Sequence, residues 1–470
     1  MHPYSVLAIA AMLSLPQISM AINGIGEANL LQVVSQQANG LDSVFVGQKE
    51  IRFEAAFSPP QKFTPPYNFE LIVTNGRRRL LPRLELPKIW PTDLNGNTDA
   101  NQQIAGIIPK EWVQPGMSLT LRATDKKNTV IQKVWRPRVA PAITERVRLI
   151  PIQLDGVQAT APTATLVQDA LTRLQPVSNI TVSYDSTLTF SSQPSERLGP
   201  GRLTVEAMSR MLRSVDDRCW AINKPTLRGF NTAIKCVGIY PPGFQFHVRE
   251  DFIFLGMGYI GGFVWVAPML SAVDNAQVTT PYTGDSWLTS PALVWAHEYG
   301  HVLNLDHAPC GVTGGTDPRL VGDGSIGNDR GWDAVRGWRF SSDQAALQKK
   351  PAFHELMSYC GPAWTSARAY ASALAYRGGL TRARLTGGGL WYRLNELNGY
   401  WQADRLESPP GSLQKTGLLA NTPSQQSVTV WQQSVSQDIN VVKPPYFVEL
   451  PNDPTLKLLM LKGNIAISLP

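Results

Sequence analysis

Three of the six histidines in this 470-residue chain fall in one short stretch, SPALVWAHEYGHVLNLDHAPC, from Ser290 to Cys310. Ser290 followed by Pro291 reads as a helix start, with an N-cap hydroxyl and a proline at the first helical position, where its missing N–H does no harm. On that helix His297 and His301 are four residues apart, so both imidazoles point to one side. The spacing suits two nitrogen ligands of one tetrahedral zinc. Glu298, beside the first ligand, can reach a zinc-bound water without being a ligand itself, which is the placement of a general base. A third ligand from just beyond the helix requires an abrupt stop, and Asn304 tolerates the left-handed backbone such a stop uses. The chain then turns back to present His307, and one zinc per chain is expected. With six histidines in 470 residues, chance supplies this four-residue pattern on the order of 10⁻⁴ times.

The rest of the chain sets the context. MHPYSVLAIAAMLSLPQISMA at the N-terminus looks like a secretory signal peptide, residues 1–21, cleaved after Ala21, which predicts a secreted protein, extracellular or periplasmic. Cys219, Cys236, Cys310 and Cys360 are an even set in an exported chain, so two disulfides are expected, with three pairings open. Hydrophobic residues are 43% and charged residues 17%, which rules out disorder over most of the length. No second apolar stretch is long enough for a transmembrane helix. The 38 glycines and 36 prolines call for many turns and a β-rich chain.

Residues 22–140 carry short alternating runs such as FELIVT and SLTLRAT between Pro- and Gly-containing turns and read as a β-sandwich-like domain. Residues 141–380 open on RVRLIPIQL and mix strands with helical stretches, one of them from Thr204 to Arg213. Residues 381–470 return to short β runs and read as a small β-rich domain. Asp93, Asn95, Asn97 and Asp99 alternate like the start of a calcium loop, but Thr98 and Ile104 stand where its glycine and final acid belong, so an Asx-rich turn is the reading. Asp317, Asp323 and Asp329, between Gly311 and Trp332, could bind Ca2+, with an Asx-rich surface loop the preferred reading. His247 and His354 are read as structural. The net charge is +7, and its one dense cluster, Arg77, Arg78, Arg79 and Arg83, is read as a solvated face. Without a zinc finger, a recognition-helix signature or interleaved aromatics, no nucleic-acid partner is expected. No feature specifies an oligomeric state.

HEYGHVLNLDH resembles the extended zinc motif HExxHxxGxxH of the metzincin clan of metallopeptidases, departing from it where Asn304 replaces glycine. Downstream, in HELMSYCGPAW, Met357, Ser358 and Tyr359 resemble the clan's Met-turn. The resemblance implies an α+β fold: a metzincin-like catalytic domain, with a twisted mixed sheet, an active-site helix and the Met-turn, flanked by β-rich accessory domains. It implies that Met357 forms a hydrophobic floor beneath the histidines. It also implies that Tyr359 is an extra ligand or hydrogen-bond donor to an oxyanion, as in astacins and serralysins, a purely structural tyrosine being the alternative. HAPCG followed by MSYCGPAW is most similar to secreted bacterial members with reprolysin-like catalytic domains. That likeness implies a Cys310–Cys360 bridge between the third-ligand loop and the Met-turn, with Cys219 and Cys236 forming the second bridge. GMGYIGGFVWVAP resembles the edge strand over the cleft of such enzymes, although a buried strand with glycine bends would show the same letters. The implied activity is a zinc-dependent endopeptidase acting on extracellular proteins or glycoproteins, with Glu298 taking the proton of the zinc-bound water and passing it to the leaving amine. The rival reading is a non-catalytic surface or adhesion protein with a structural zinc, for which Cys310 or Asp306 would be the fourth ligand. Retention of Glu298 argues against that rival.

Overall fold

The computed structural model describes residues 24–37, 43–88, 90–91, 102–224, 232–250, 252–271, 290–312, 316–327, 329–334, 338–341, 353–377, and the C-terminal strands within 390–397, 400–406, 413–421, 427–433, 446–450, 458–461 and 465–468. The signal-like segment and the Asp93–Asp99 run lie outside the described residues. The fold is mixed α+β with strands predominating, as expected, and four α-helices stand among the described residues.

The N-terminal alternating runs form two sheets around one core. Asn68–Asn75 and Ser118–Thr124 pair antiparallel in a four-stranded sheet with Val130–Trp135 and Arg78–Leu80. The second sheet holds Gly24–Gln32, Val34–Gln37, Ile51–Ser58, Gln103–Ile108 and Leu84–Glu85. Alternation puts Leu119, Leu121 and Ala123 inward, where they meet Phe53, Leu71 and Trp135. This second sheet does not end with the N-terminal region. Arg330–Asp333 pairs with Val34–Gln37, and Trp338–Ser341 extends the edge.

The central sheet is built on Thr144–Leu154, which pairs parallel with Asn179–Tyr184, Leu188–Phe190 and Lys235–Tyr240. Val264–Pro268 follows in parallel, and Met257–Gly258 closes the edge antiparallel to it. Lys235–Tyr240 is buried along its whole length, as a parallel strand covered on both faces must be. Helix α1 (Ala164–Thr172) is capped by Thr163, whose hydroxyl accepts from the Leu166 N–H at 3.4 Å. Helix α2 (Val205–Asn223) runs well past the predicted Arg213, because its buried stripe of Met208, Met211, Leu212, Val215 and Cys219 continues at helical spacing.

Helix α3 (Pro291–Val302) carries the first two histidines, and every residue from Ala292 to Val302 is buried. Packed against the sheet and α1, it shares one core with Val237, Trp265, Val167 and, from helix α4 (Ala367–Arg377), Tyr370. The C-terminal strands close into a seven-stranded barrel. Arg393 of the barrel is buried against α2, its guanidinium 2.6 Å from Asp216 and stacked 4.2 Å over Trp220. No helix among the described residues is long and apolar enough to cross a membrane.

Candidate metal centre

Helix α3 starts where the sequence predicts, at Pro291 after Ser290, but not by the expected device. The Ser290 hydroxyl makes no capping bond and is buried without a partner. Its carbonyl instead accepts from the Leu293 and Val294 N–H groups at 3.0 and 3.1 Å. The helix ends as the sequence requires: Asn304 is left-handed, with φ 66°. The Asn304 and Leu305 N–H groups fold back onto the carbonyls of His301 and Gly300 at 2.8 and 3.1 Å. This reversal serves two histidines, since it points the chain towards His307 and sets the Leu305 carbonyl 2.7 Å from His301 Nδ1.

The three imidazoles converge. The ligand nitrogens of His297, His301 and His307 lie within 4.8 Å of one another, and all three rings are buried. His297 Nδ1 is 2.7 Å from the Leu356 carbonyl. A carbonyl only accepts, so Nδ1 is the protonated nitrogen in both His297 and His301. Each neutral ring therefore presents a bare lone pair at Nε2, and these two atoms face each other at 3.2 Å. Two acceptors that close repel unless a cation sits between them. Tetrahedral ligands about 2.0–2.1 Å from a zinc lie roughly 3.3 Å apart, so the residues fit such an ion. Burial pushes His297 down to about 4 and His307 to about 3, and holds His301 well below the usual histidine range. The rings are thus kept neutral and ready to ligate.

The turn at Met357–Tyr359, whose sequence resembles a Met-turn, packs against α3. Met357 packs on Gly300: a Cβ there would lie 2.5 Å from the methionine sulfur. The Leu356 carbonyl orients His297, the Met357 carbonyl accepts from the Ala308 N–H at 2.9 Å, and the Tyr359 N–H donates to the Cys310 carbonyl at 3.0 Å. The turn is held by buried Glu355, whose carboxylate accepts from the Leu356 and Ser366 N–H groups at 3.0 and 2.9 Å. The Tyr359 hydroxyl comes to 3.2 Å from His307 Nε2, at the mouth of the cluster.

Glu298 is buried beside the histidines, and one carboxylate oxygen, Oε2, has no partner. Burial pushes its carboxyl well above the ordinary range. The glycine-broken segment lies against this carboxylate. A Cβ on Gly256 would fall 2.6 Å from Glu298 Cγ and 2.7 Å from Oε1, and one on Gly258 3.3 Å from Oε2. Met257–Gly258 is the edge strand of its sheet, and only bare backbone fits between it and the acid.

Both disulfides form: Cys310–Cys360 ties the loop after His307 to the turn at Met357–Tyr359, and Cys219–Cys236 ties α2 to the central sheet. Cys310 is therefore no thiolate ligand. Neither it nor Asp306 joins the three histidines as a fourth donor, and the grouping of His354 with Cys310 and Cys360 is not a second metal set while that bridge stands. Asp317, Asp323 and Asp329 turn to separate partners, namely Arg319, the Ser325 N–H and the Ala367 N–H. His247 is buried and accepts from Arg202 Nε at 3.3 Å, away from the cluster.

Reasoning from sequence missed Gly300, Gly256, Glu355 and Gln175, which holds the Ala296 carbonyl of α3 at 3.1 Å. Gly300 was legible only as a glycine at an apolar helix position, and Gly256 only as the first residue of the segment likened to a cleft edge strand, without its contact to Glu298. Glu355 and Gln175 carry no local signal. The sequence matches no known family model and no curated protein.

Proposed function

We propose that this chain is a secreted zinc-dependent endopeptidase of the metzincin clan, most like bacterial members with reprolysin-like catalytic domains. The observation that supports it most is the set of three neutral imidazole nitrogens, with no fourth His, Cys, Asp or Glu donor among the described residues and with an unpartnered carboxylate oxygen on Glu298, the neighbour of His297. A closed structural site would satisfy its metal with a fourth side chain. When bound, zinc supplies Lewis acidity, polarising a substrate carbonyl and making water nucleophilic near neutral pH.

The protein residues do the rest. Glu298 is a base whose affinity for a proton is raised by burial, so it can take one from the attacking water and return it to the leaving amine. Gly256 and Gly258 keep that carboxylate in one place. Tyr359, whose hydroxyl is near His307, is positioned to donate to the oxyanion that develops on the carbonyl. An extended substrate would add along the Met257–Gly258 edge, where main-chain pairing gives affinity without demanding a particular sequence. Extracellular proteins or glycoproteins are the substrate class.

The experiment is zinc content together with cleavage of casein and of a mucin-type glycoprotein by the purified mature chain and by Glu298→Ala. Cleavage is expected to vanish in the variant, with about one zinc per chain kept in both. Zinc in both forms and no cleavage by either would favour the structural-zinc reading.

A further inference from the structure

The arginine cluster of the N-terminal region belongs to no site described above. Arg77 follows the Gly76 turn between Asn68–Asn75 and Arg78–Leu80, and Arg77, Arg78, Arg79, Arg83 and Lys88 are all exposed. The Arg78 guanidinium lies 4.5 Å over the Trp112 ring. Among the described residues the others make no ion pair, and Glu85 is engaged by Arg52 at 2.8 Å.

From Arg79 to Glu85 the exposure alternates strictly. Leu80, Pro82 and Leu84 are half-buried, and both leucines pack on the core, whereas Arg79, Leu81, Arg83 and Glu85 point out. Leu81 therefore stands between two arginines in the outward row, 52% exposed, and Leu86, just beyond, is equally exposed. Leu81 and Leu86 are the two most exposed large hydrophobic side chains among the described residues, and both lie within the arginine cluster's own segment. A sulfated glycan would be met by basic and polar groups, and a nucleic acid by basic groups with aromatic rings for its bases, neither of which calls for exposed leucines. Guanidinium groups that reach phosphates beside leucines that enter the acyl boundary match the chemistry of an anionic bilayer.

We propose that this hairpin and the segment to Lys88 form a docking surface for a bilayer carrying anionic phospholipid headgroups, holding the protein at a membrane surface without crossing it. The test is vesicle flotation of the full mature chain with phosphatidylcholine alone and with phosphatidylcholine containing phosphatidylglycerol. Three forms are compared: wild type, Arg77→Glu/Arg79→Glu/Arg83→Glu, and Leu81→Ser/Leu86→Ser, each first shown to melt like wild type. Wild type is expected to float only with the anionic vesicles, the arginine variant to bind about a hundredfold more weakly, and the leucine variant to bind about tenfold more weakly. Equal behaviour towards the two vesicle types, or full binding by the arginine variant, would overturn the proposal. So would a leucine variant that binds like wild type while the wild type is retained equally by heparin, since that identifies a polyanion site and not a membrane one.

Discussion

Gly300 sits between the two helical histidines, and Met357 is the reason no side chain is tolerated there. Alanine would favour the helix by about 1 kcal/mol in isolation, yet its Cβ would collide with the methionine sulfur at 2.5 Å. Gly300→Ala is therefore expected to push the Met357 turn away from α3 and weaken metal binding about tenfold, as loss of an outer support typically does. Chelator competition measures this, and unchanged affinity would show that Met357 is not a rigid floor. Asn304 tests the opposite case, a residue kept for its backbone. Its side-chain oxygen is buried without a partner, so the left-handed conformation is its contribution. Asn304→Ala is expected to lose about 1–2 kcal/mol of stability while Asn304→Gly stays close to wild type. Urea unfolding of the pair distinguishes this from a side-chain role.

Among the elements, the segment His354–Trp364 transmits the most. Its Trp364 indole donates to the Val33 carbonyl at 2.8 Å, the Trp364 carbonyl accepts from the Leu356 N–H at 2.7 Å, and the Leu356 carbonyl orients His297 at 2.7 Å. The bend at Val33 between two N-terminal strands, the Met357 turn and one imidazole of the cluster thus form one hydrogen-bonded series. Trp364→Phe keeps the packing and removes only the first link. It is expected to cost about 1 kcal/mol of stability and to loosen metal binding a few-fold, read by melting and by chelator competition. A loss of stability with metal affinity untouched would confine the tryptophan to packing.

The whole molecule is stitched across the boundary near residue 140 that the sequence suggests. Besides the shared sheet, the Tyr370 hydroxyl reaches Gln32 at 2.9 Å, Ser178 reaches the Gly47 carbonyl at 2.6 Å, and half-buried Lys49 donates to the carbonyls of Thr172, Gln175 and Val177. A chain beginning at Ala140 would leave these groups and the Arg330–Asp333 edge unpaired. It is expected to be aggregated or without a cooperative melt, whereas a soluble, metal-binding fragment with activity above that of the full chain would mark the N-terminal region as a removable inhibitor. Lys49 adds a pH signature. Burial lowers it from 10.5 to about 7, so between those values the unfolded chain holds more protons than the folded one, and stability rises with pH across that window. Below about 7 the penalty for burying the charge is fully present. Denaturation at pH 7 and pH 9 is expected to show this rise in wild type and a smaller one in Lys49→Met; equal slopes would mean Lys49 keeps its proton in the fold.

The letters alone determined what is local. The start of α3 at its N1 proline, its end at Asn304, the common side of His297 and His301, and the strands read at Ser118–Thr124 and Arg146–Leu154 follow from backbone preference, spacing and alternation, which act within a few residues. Only the tertiary structure decided what meets across the chain. Gln175 under α3, Gly256 against Glu298 and Val33 beneath Trp364 come from positions far apart in sequence. Their pairings depend on how sheets and helices stack, and packing of that kind leaves no periodic trace in any one segment.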